Sequence, residues 1–200
     1  MSGIHTLGVS PSTILRHNVI HDVQAYQSSV GYCLGAGIYL DQSSGEITVE
    51  NNVCYNISNA GFFLHHGTNN RITNNVFADL EGRGRIGWGM FFTARASHGD
   101  AVNPATGNFV LAPSAKLIKA TRHGTTPSDK ETHGFVAIDK NLYWSRHGES
   151  PSFSISHGDE ADGILDLASW QKLGYDRSSI IADPHFVDAA AHDYRPVSYT

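Results

Sequence analysis

A recurring motif of an asparagine followed by an apolar residue constrains this chain more than any other feature. Its copies begin at His17, Asn51, Asn74 and Lys140, and a weaker copy begins at Gly107. Aligning the second residue of each copy gives steps of 34, 23, 33 and 33 residues. Self-similarity at periods of about 20–50 residues is typical of stacked repeat architectures. The chain is therefore expected to be built from similar units that stack along one axis.

Short apolar runs led by glycine form a second repeated element. They cover residues 37–41, 61–65, 89–93 and 134–138. They are rich in aromatic and β-branched residues, too short for helices, and bounded by turn residues, which favours strands. Units that cannot bury an apolar face alone must stack to share one core. These features predict an all-β fold, a single-stranded right-handed parallel β-helix with long loops and one short helix.

The alignment also predicts which side chains stack. Three ladders are expected inside the tube: Leu15, Val49 and Ile72; Val19, Val53, Val76, Phe109 and Leu142; and Val23, Ile57 and Leu80. The repeated asparagines 18, 52, 75, 108 and 141 should form a ladder at a bend, because asparagine tolerates left-handed backbone and can hydrogen-bond to the next unit. Cys54 aligns with Ile20 and Phe77 and is expected to fill the core as a small apolar residue.

Composition limits the partners and the number of domains. Two hundred residues fit one domain, and the net charge of −5 with only 16% charged residues provides no basic stripe for nucleic acid. No apolar run reaches membrane-spanning length, and residues 1–12 lack the features of a secretory signal. Within the single domain, 12–80 is expected to hold regular coils, 81–133 loop-rich coils, 134–158 the last coils, and 159–200 a short helix at 159–174 and an extended tail.

The order of these motifs resembles a known group of proteins. The matching segments are 17–23, 37–45, 50–55, 61–67 and 74–78, and in the tail 170–176, 179–188 and 193–195. They resemble the secreted right-handed β-helix proteins of bacteria that process plant polysaccharides, nearest to glycoside hydrolase family 141 and its uncharacterised relatives in the pectin-lyase-like superfamily. The resemblance implies action on a polysaccharide or oligosaccharide, an extracellular or periplasmic location, no cofactor, and a chain that corresponds to the C-terminal part of a longer β-helix.

Strand alternation predicts a site on the outside of the tube. If Ile38 and Leu40 point inward, Tyr39 and Asp41 point outward, and the same count turns Phe63 and His65 outward. The next repeat turns Phe91 and Thr93 outward as well. Asp41 and His65 would then lie about 4.8 Å apart on neighbouring strands. We expect Asp41 to be the acid–base carboxylate and His65 to orient it, while Tyr39, Phe63 and Phe91 form an open platform for a sugar ring.

Further residues are weaker candidates for the same site. Asp22, beside His21, is a possible second catalytic carboxylate or a turn cap, and His66 is expected to be exposed and able to contact substrate. Loop carboxylates at Asp100, Glu131 or Asp159 are alternatives to Asp22. The histidine spacing shows no metal-ligand pattern, so no transition-metal site is expected, and calcium at the tail carboxylates Asp183 and Asp188 is only a minor alternative.

Three functions remain open at this point. A glycoside hydrolase would need two carboxyl groups about 5–9.5 Å apart. A polysaccharide lyase would need a base and a cation, which His65 with Arg83, Arg85 or Arg95 could supply. A non-catalytic carbohydrate-binding or structural β-helix would need only the aromatic residues.

The first coil is expected to lack a cap, because no helix precedes it. Unpaired strand edges promote association. The free chain is therefore expected to self-associate through its N-terminal coil.

Overall fold

The computed structural model describes residues 2–25, 35–80, 88–95, 102–111, 116–123, 136–145, 148, 150–157 and 163–197. Within these residues the chain winds as a right-handed parallel β-helix, as the repeats predict. Each complete coil contributes three short strands, one to each of three sheets that run along the tube.

The strands follow the chain coil by coil. The first coil holds β1 (Ile4–Thr6), β2 (Ile14–Arg16) and β3 (Val19–Val23), and the second holds β4 (Ile38–Leu40), β5 (Thr48–Glu50) and β6 (Val53–Ile57). The third holds β7 (Phe62–His65), β8 (Arg71–Thr73) and β9 (Val76–Leu80), and the fourth holds β10 (Met90–Arg95), β11 (Asn103–Thr106) and β12 (Phe109–Leu111). The fifth holds β13 (Lys116–His123), β14 (Val136–Asp139) and β15 (Leu142–Trp144), and the chain ends with β16 (Ser152–His157), β17 (Gly163–Leu165), α1 (Leu167–Lys172), β18 (Ile180–Ile181), β19 (Phe186–Asp188) and β20 (Asp193–Pro196).

Three sheets arise because equivalent strands of successive coils pair in parallel. The first sheet runs β1-β4-β7-β10-β13-β16-β17, the second β2-β5-β8-β11-β14, and the third β3-β6-β9-β12-β15-β18. The predicted register is confirmed: Val49 pairs with Ile72, and Val53 with both Val19 and Val76. The strand expected at 89–93 is present as β10, whereas β11 has no counterpart among the predicted strands.

The core fills the inside of the tube with inward columns from all three sheets. Leu40, Leu64 and Phe92 stack in the first sheet, and Val49 and Ile72 in the second. In the third sheet the inward column is Ile20, Cys54, Phe77, Val110 and Tyr143, all buried. Cys54 is a free, fully buried thiol whose pKa burial raises, which confirms its expected role as apolar filler.

One predicted interior ladder in fact faces outward. Val19, Val53, Val76, Phe109 and Leu142 stack in register as expected, but none is fully buried, and Val19 is 65% exposed. The reason is the asparagine that precedes each of them: its side chain points into the tube, so strict alternation turns the following residue outward and the next one inward. The predicted inward positions Ile57 and Leu80 are correct, because the left-handed residues Asn56 and Asp79 interrupt the alternation just before them.

The asparagine ladder forms as predicted and links five coils. The Nδ2 groups of Asn18, Asn52, Asn75 and Asn108 each donate to the Oδ1 of the next asparagine, at 2.8–3.1 Å. Each of these Oδ1 atoms also accepts a backbone N–H from the coil before. One expectation about the ladder is wrong: left-handed backbone was expected at the ladder asparagines themselves. It occurs instead at the residue before each of them, such as Asn51 or Asn74.

The ladder ends on a buried carboxylate at the C-terminal end of the tube. Asp176 accepts from Asn141 Nδ2 at 3.1 Å, from the Tyr143 hydroxyl at 2.9 Å, and from Trp170 Nε1 at 2.7 Å. Trp170 belongs to α1, which is shorter than the predicted 159–174 because β17 occupies residues that were expected to be helical. Asp166, which lies inside the predicted helical range, is the N-cap of α1 and accepts the Ser169 backbone N–H. The antiparallel β17 and the buried Trp170 close this end of the core.

The tail covers part of the outer face of the third sheet. β19 and β20 form an antiparallel hairpin, and Tyr194 and Phe186 pack on Ala78, Leu111 and the outward valines. The Tyr194 hydroxyl donates to Asp79 Oδ2 at 2.5 Å, across 115 residues of chain. The hairpin therefore explains how the outward-facing apolar ladder is partly shielded from water. No helix in the described part of the chain is long and apolar enough to cross a membrane.

Candidate functional site

Glycines bring the strands of the first sheet close enough to align their outward side chains. A Cβ placed on Gly37 would lie 2.7 Å from the carbonyl oxygen of Gly61, and one on Gly61 would lie 2.8 Å from Phe77 Cβ. A side chain at Gly37 would therefore push the neighbouring coil away, and one at Gly61 would collide with Phe77 within its own coil. In the register of this sheet Tyr39 pairs with Phe63, and Asp41 follows one residue beyond the Leu40–Leu64 pair.

Asp41 is the centre of a hydrogen-bonded cluster at the end of β4. Its Oδ1 accepts from the Tyr39 hydroxyl at 2.6 Å, from the Gln42 backbone N–H at 2.7 Å, and from His65 Nδ1 at 2.8 Å. Its Oδ2 lies 3.2 Å from His5 Nε2. The predicted contact between Asp41 and His65 is therefore present, and a second imidazole completes the arrangement. We call these four side chains, His5, Tyr39, Asp41 and His65, the Asp41 cluster.

The electrostatics of the cluster keep Asp41 ionised. Partial burial raises the pKa of its carboxyl group, but hydrogen bonds from Tyr39, His65, the Gln42 amide and His5 outweigh this and hold the pKa well below its usual range. A carboxyl group in this state is a poor proton donor near neutral pH. The ionised Asp41 is therefore suited to orient His65, and the acid–base role expected for it from the sequence stays a prediction.

The same contacts fix how His65 presents its ring. Because the ionised Asp41 can only accept, His65 Nδ1 must carry the proton, and Nε2 is the basic nitrogen of the neutral ring. His65 is 24% exposed at its side chain, and within the described residues its Nε2 makes no hydrogen bond. An oriented imidazole with a free, partly exposed Nε2 can accept a proton from a bound molecule.

His5 was not identified from the sequence, although a signal was present. Gly3 precedes Ile4 and His5 in the same way that Gly37 precedes Ile38 and Tyr39, at the 34-residue step found for the asparagine motif. The structure confirms this alignment, since His5 pairs with Tyr39 and their rings stack at 4.7 Å. The first coil thus begins at β1, before the 12–80 section that was expected to hold the regular coils.

The aromatic residues of the column stack but do not form an open platform. The rings of Tyr39 and Phe63 lie 4.8 Å apart, and those of Phe63 and Phe91 lie 4.9 Å apart. All three point outward from the tube, as predicted, yet they are only 6%, 2% and 9% exposed, in a second apolar cluster with Trp88. Their ring faces are used against one another. The column therefore supports the Asp41 cluster as a rigid stack and, as it stands, offers no free ring face to a sugar.

His66 is also placed differently from the prediction. It was expected to be exposed, but it is 7% exposed, with left-handed backbone (φ 58°), its ring beside that of His65 and its Nδ1 3.5 Å from the Thr93 hydroxyl. The following Gly67 permits this turn, because a Cβ there would lie 2.3 Å from the Ser44 carbonyl oxygen. His66 therefore buttresses His65 in this conformation and does not face a substrate.

Asp22 lies apart from the Asp41 cluster. It sits on β3 in the third sheet, exposed, with left-handed backbone, and it accepts from Asn56 Nδ2 and pairs with His21 Nδ1 at 2.7 Å. These hydrogen bonds lower the pKa of its carboxyl group. The structure does not bring Asp22 together with Asp41 as a catalytic pair.

Several expected residues lie outside the part of the chain described. These are Arg83, Arg85, Asp100, Glu131 and Asp159, and for Arg95 only the backbone is described. Among the described residues, no three His, Cys, Asp or Glu side chains are arranged to hold a metal ion.

Comparison with known proteins supports the fold. The family model for the right handed beta helix region matches residues 1–97. No curated protein and no solved structure matches the chain. The parallel β-helix therefore stands on both the family model and the sheet topology, whereas the narrower resemblance to glycoside hydrolase family 141 stays a prediction.

Proposed function

We propose that this chain is a polysaccharide-active β-helix domain in which the Asp41 cluster performs acid–base chemistry through its imidazoles. The observation that carries the proposal is one ionised carboxylate held between two histidines. Asp41 orients His65, and the free Nε2 of His65 is the proton acceptor. His5, when protonated, adds a positive charge on the other oxygen of the same carboxylate.

These features favour β-elimination, the lyase reaction, over hydrolysis. In a lyase the base removes the proton from the carbon next to the carboxyl group of a uronic acid, a C=C bond forms to the neighbouring carbon, and the glycosidic oxygen leaves from that carbon and takes up a proton from water. That chemistry needs a base and a nearby cation, and both can come from histidine here. Hydrolysis by two carboxyl groups needs a protonated acid, whereas the hydrogen bonds on Asp41 keep it ionised. A polymer substrate would place the domain in an extracellular or periplasmic setting.

The test is turnover of uronic-acid polymers measured in two ways. Polygalacturonate and alginate are incubated with the chain, and both new reducing ends and the ultraviolet absorbance of an unsaturated product are followed. A lyase produces both signals together. Reducing ends without the absorbance would indicate hydrolysis, and binding without either signal would indicate a binding module; each of these results would overturn the lyase proposal.

Two variants locate the chemistry. His65→Ala should lower turnover by roughly 10²–10⁴-fold, the range for loss of a proton-transfer group. His185→Ala is the matched control, since this histidine is also exposed but lies in the tail, and its turnover should equal that of the parent chain. Asp41→Asn should lower kcat more than it changes KM, because it disturbs the orientation of His65 and leaves other contacts to the polymer in place.

A further inference from the structure

A cleft at the C-terminal end of the tube is separate from the Asp41 cluster. It has a volume of about 480 Å³ and lies between the end of β15, the residues Gly148, Ser150 and Pro151, α1 and β18. Its walls include Trp144, Ser145, Ser150, Asp166, Leu167 and Ile181. Clefts of about 300–1,000 Å³ with apolar walls and a few polar groups are typical of small-molecule sites.

Trp144 provides the aromatic wall. It is the last residue of β15, faces outward from the third sheet, and lies in register with Leu111. It packs against the apolar cluster of Ala78, Leu111 and Tyr194 and remains partly exposed. The other two tryptophans of the chain are buried, Trp88 at 3% exposure and Trp170 at 0%. An indole supported from behind and reachable from the cleft is suited to stacking against the apolar face of a ring.

Asp166 provides an available carboxylate. Its Oδ1 accepts the Ser169 backbone N–H at 2.7 Å as the cap of α1, and the Ser169 hydroxyl and backbone N–H together lower the pKa of the group. Each carboxylate oxygen has two lone pairs, so the ionised group can still accept hydroxyl or ammonium protons from the cleft. The same charge disfavours an acidic ligand.

We propose that this cleft binds a pyranose ring that carries no acidic group, stacked on Trp144 and hydrogen-bonded to Asp166. The indole takes the apolar face of the ring, and the carboxylate accepts protons from its hydroxyl or amino groups. Because the ligand class differs from the uronic acids of the proposed reaction, the cleft would select neutral or amino sugars within a mixed polymer. This inference does not depend on the reaction of the Asp41 cluster.

Fluorescence gives a direct test, because Trp144 is the tryptophan that a solute can reach. Acrylamide quenching is measured on the full chain with cellohexaose, chitohexaose and hexagalacturonate as probes. Cellohexaose or chitohexaose should protect Trp144 from quenching, and hexagalacturonate should not. Absence of protection by both non-acidic probes, or equal protection by the acidic one, would overturn the proposal.

Variants separate the cleft from the rest of the molecule. In calorimetry with the protecting probe, Trp144→Ala should bind at least about tenfold more weakly, as expected for loss of a stacked ring. Asp166→Asn keeps a good helix cap while removing the charge, so it should weaken binding and reduce the exclusion of hexagalacturonate. Unchanged affinity in both variants would refute the site. His65→Ala should bind the probe as the parent does, so failure of the lyase proposal and failure of this one are distinguishable.

Discussion

Truncation of one ladder asparagine tests how the coils are held together. Asn75 lies in the middle of the ladder and is fully buried. Its Oδ1 accepts the backbone N–H of Asn52 at 3.0 Å and the Asn52 Nδ2 at 2.9 Å. Its Nδ2 donates to the Val49 carbonyl and to Asn108 Oδ1, both at 3.0 Å. Asn75→Ala removes all four of these hydrogen bonds at once.

The expected loss can be estimated from those bonds. The Asn52 backbone N–H is left buried without an acceptor, which costs about 1–3 kcal/mol. The other three hydrogen bonds add roughly 2 kcal/mol together, toward the lower end of the usual net value. The free energy of unfolding should therefore fall by about 3–5 kcal/mol, a large part of the 5–15 kcal/mol typical of a domain.

Urea unfolding followed by circular dichroism and by fluorescence measures this change. Asn18→Ala is the matched control: Asn18 is only half-buried in the first coil and supplies donors to Asn52 Oδ1 and the Arg16 carbonyl. It should cost about 1 kcal/mol, the net value of an ordinary hydrogen bond. If Asn75→Ala and Asn18→Ala destabilise equally, with an unchanged m value, the ladder does not carry the stability assigned to it.

Three further outcomes are expected. Burial raises the pKa of Asp176, so its contribution to stability is full below the ordinary value of 3.8 and declines as pH rises through the raised value. Asp176→Asn should flatten this decline, measured as the urea midpoint of unfolding across pH. An unaltered slope would contradict the prediction. Tyr194→Phe removes the hydrogen bond to Asp79, and loss of a bond to a charged group should lower the free energy of unfolding by about 1.5–3 kcal/mol. Hydrogen exchange in β19 and β20 should therefore become faster. Unchanged exchange would show that packing alone holds the hairpin. The chain should self-associate through its first coil, where Leu7 and Ile14 are 73% and 51% exposed beside strand edges. The double variant Leu7→Glu with Ile14→Glu should sediment as a monomer. A parent chain that is itself monomeric at high concentration would rule this out.

Much of the candidate site could be predicted because it depends on local repetition. Alternation in β4 and β7 turned Asp41 and His65 to the same side, and stacking brought them within hydrogen-bonding distance. His5 was missed although Gly3 marked its strand at the repeat step. The burial of Tyr39 and His66 could not be predicted, because burial depends on everything packed around a residue and not on the direction in which it points.

The sequence by itself determined the architecture of this protein. A repeat of an asparagine and an apolar residue sets both the period of the coils and the ladder that joins them, because each buried amide hydrogen-bonds to its equivalent in the next coil. The inward columns of the first two sheets followed from alternation alone.

Only the tertiary structure decided which outward faces stay open. Val53 and Val76 face outward because their asparagines take the inward position, and the tail hairpin then covers part of this face through contacts such as Tyr194 with Asp79, 115 residues away in the chain. The cleft beside Trp144 likewise combines β15, α1 and β18, which no local pattern relates. Contacts between distant segments have no periodic signature, since they depend on where the chain returns after the repeats end.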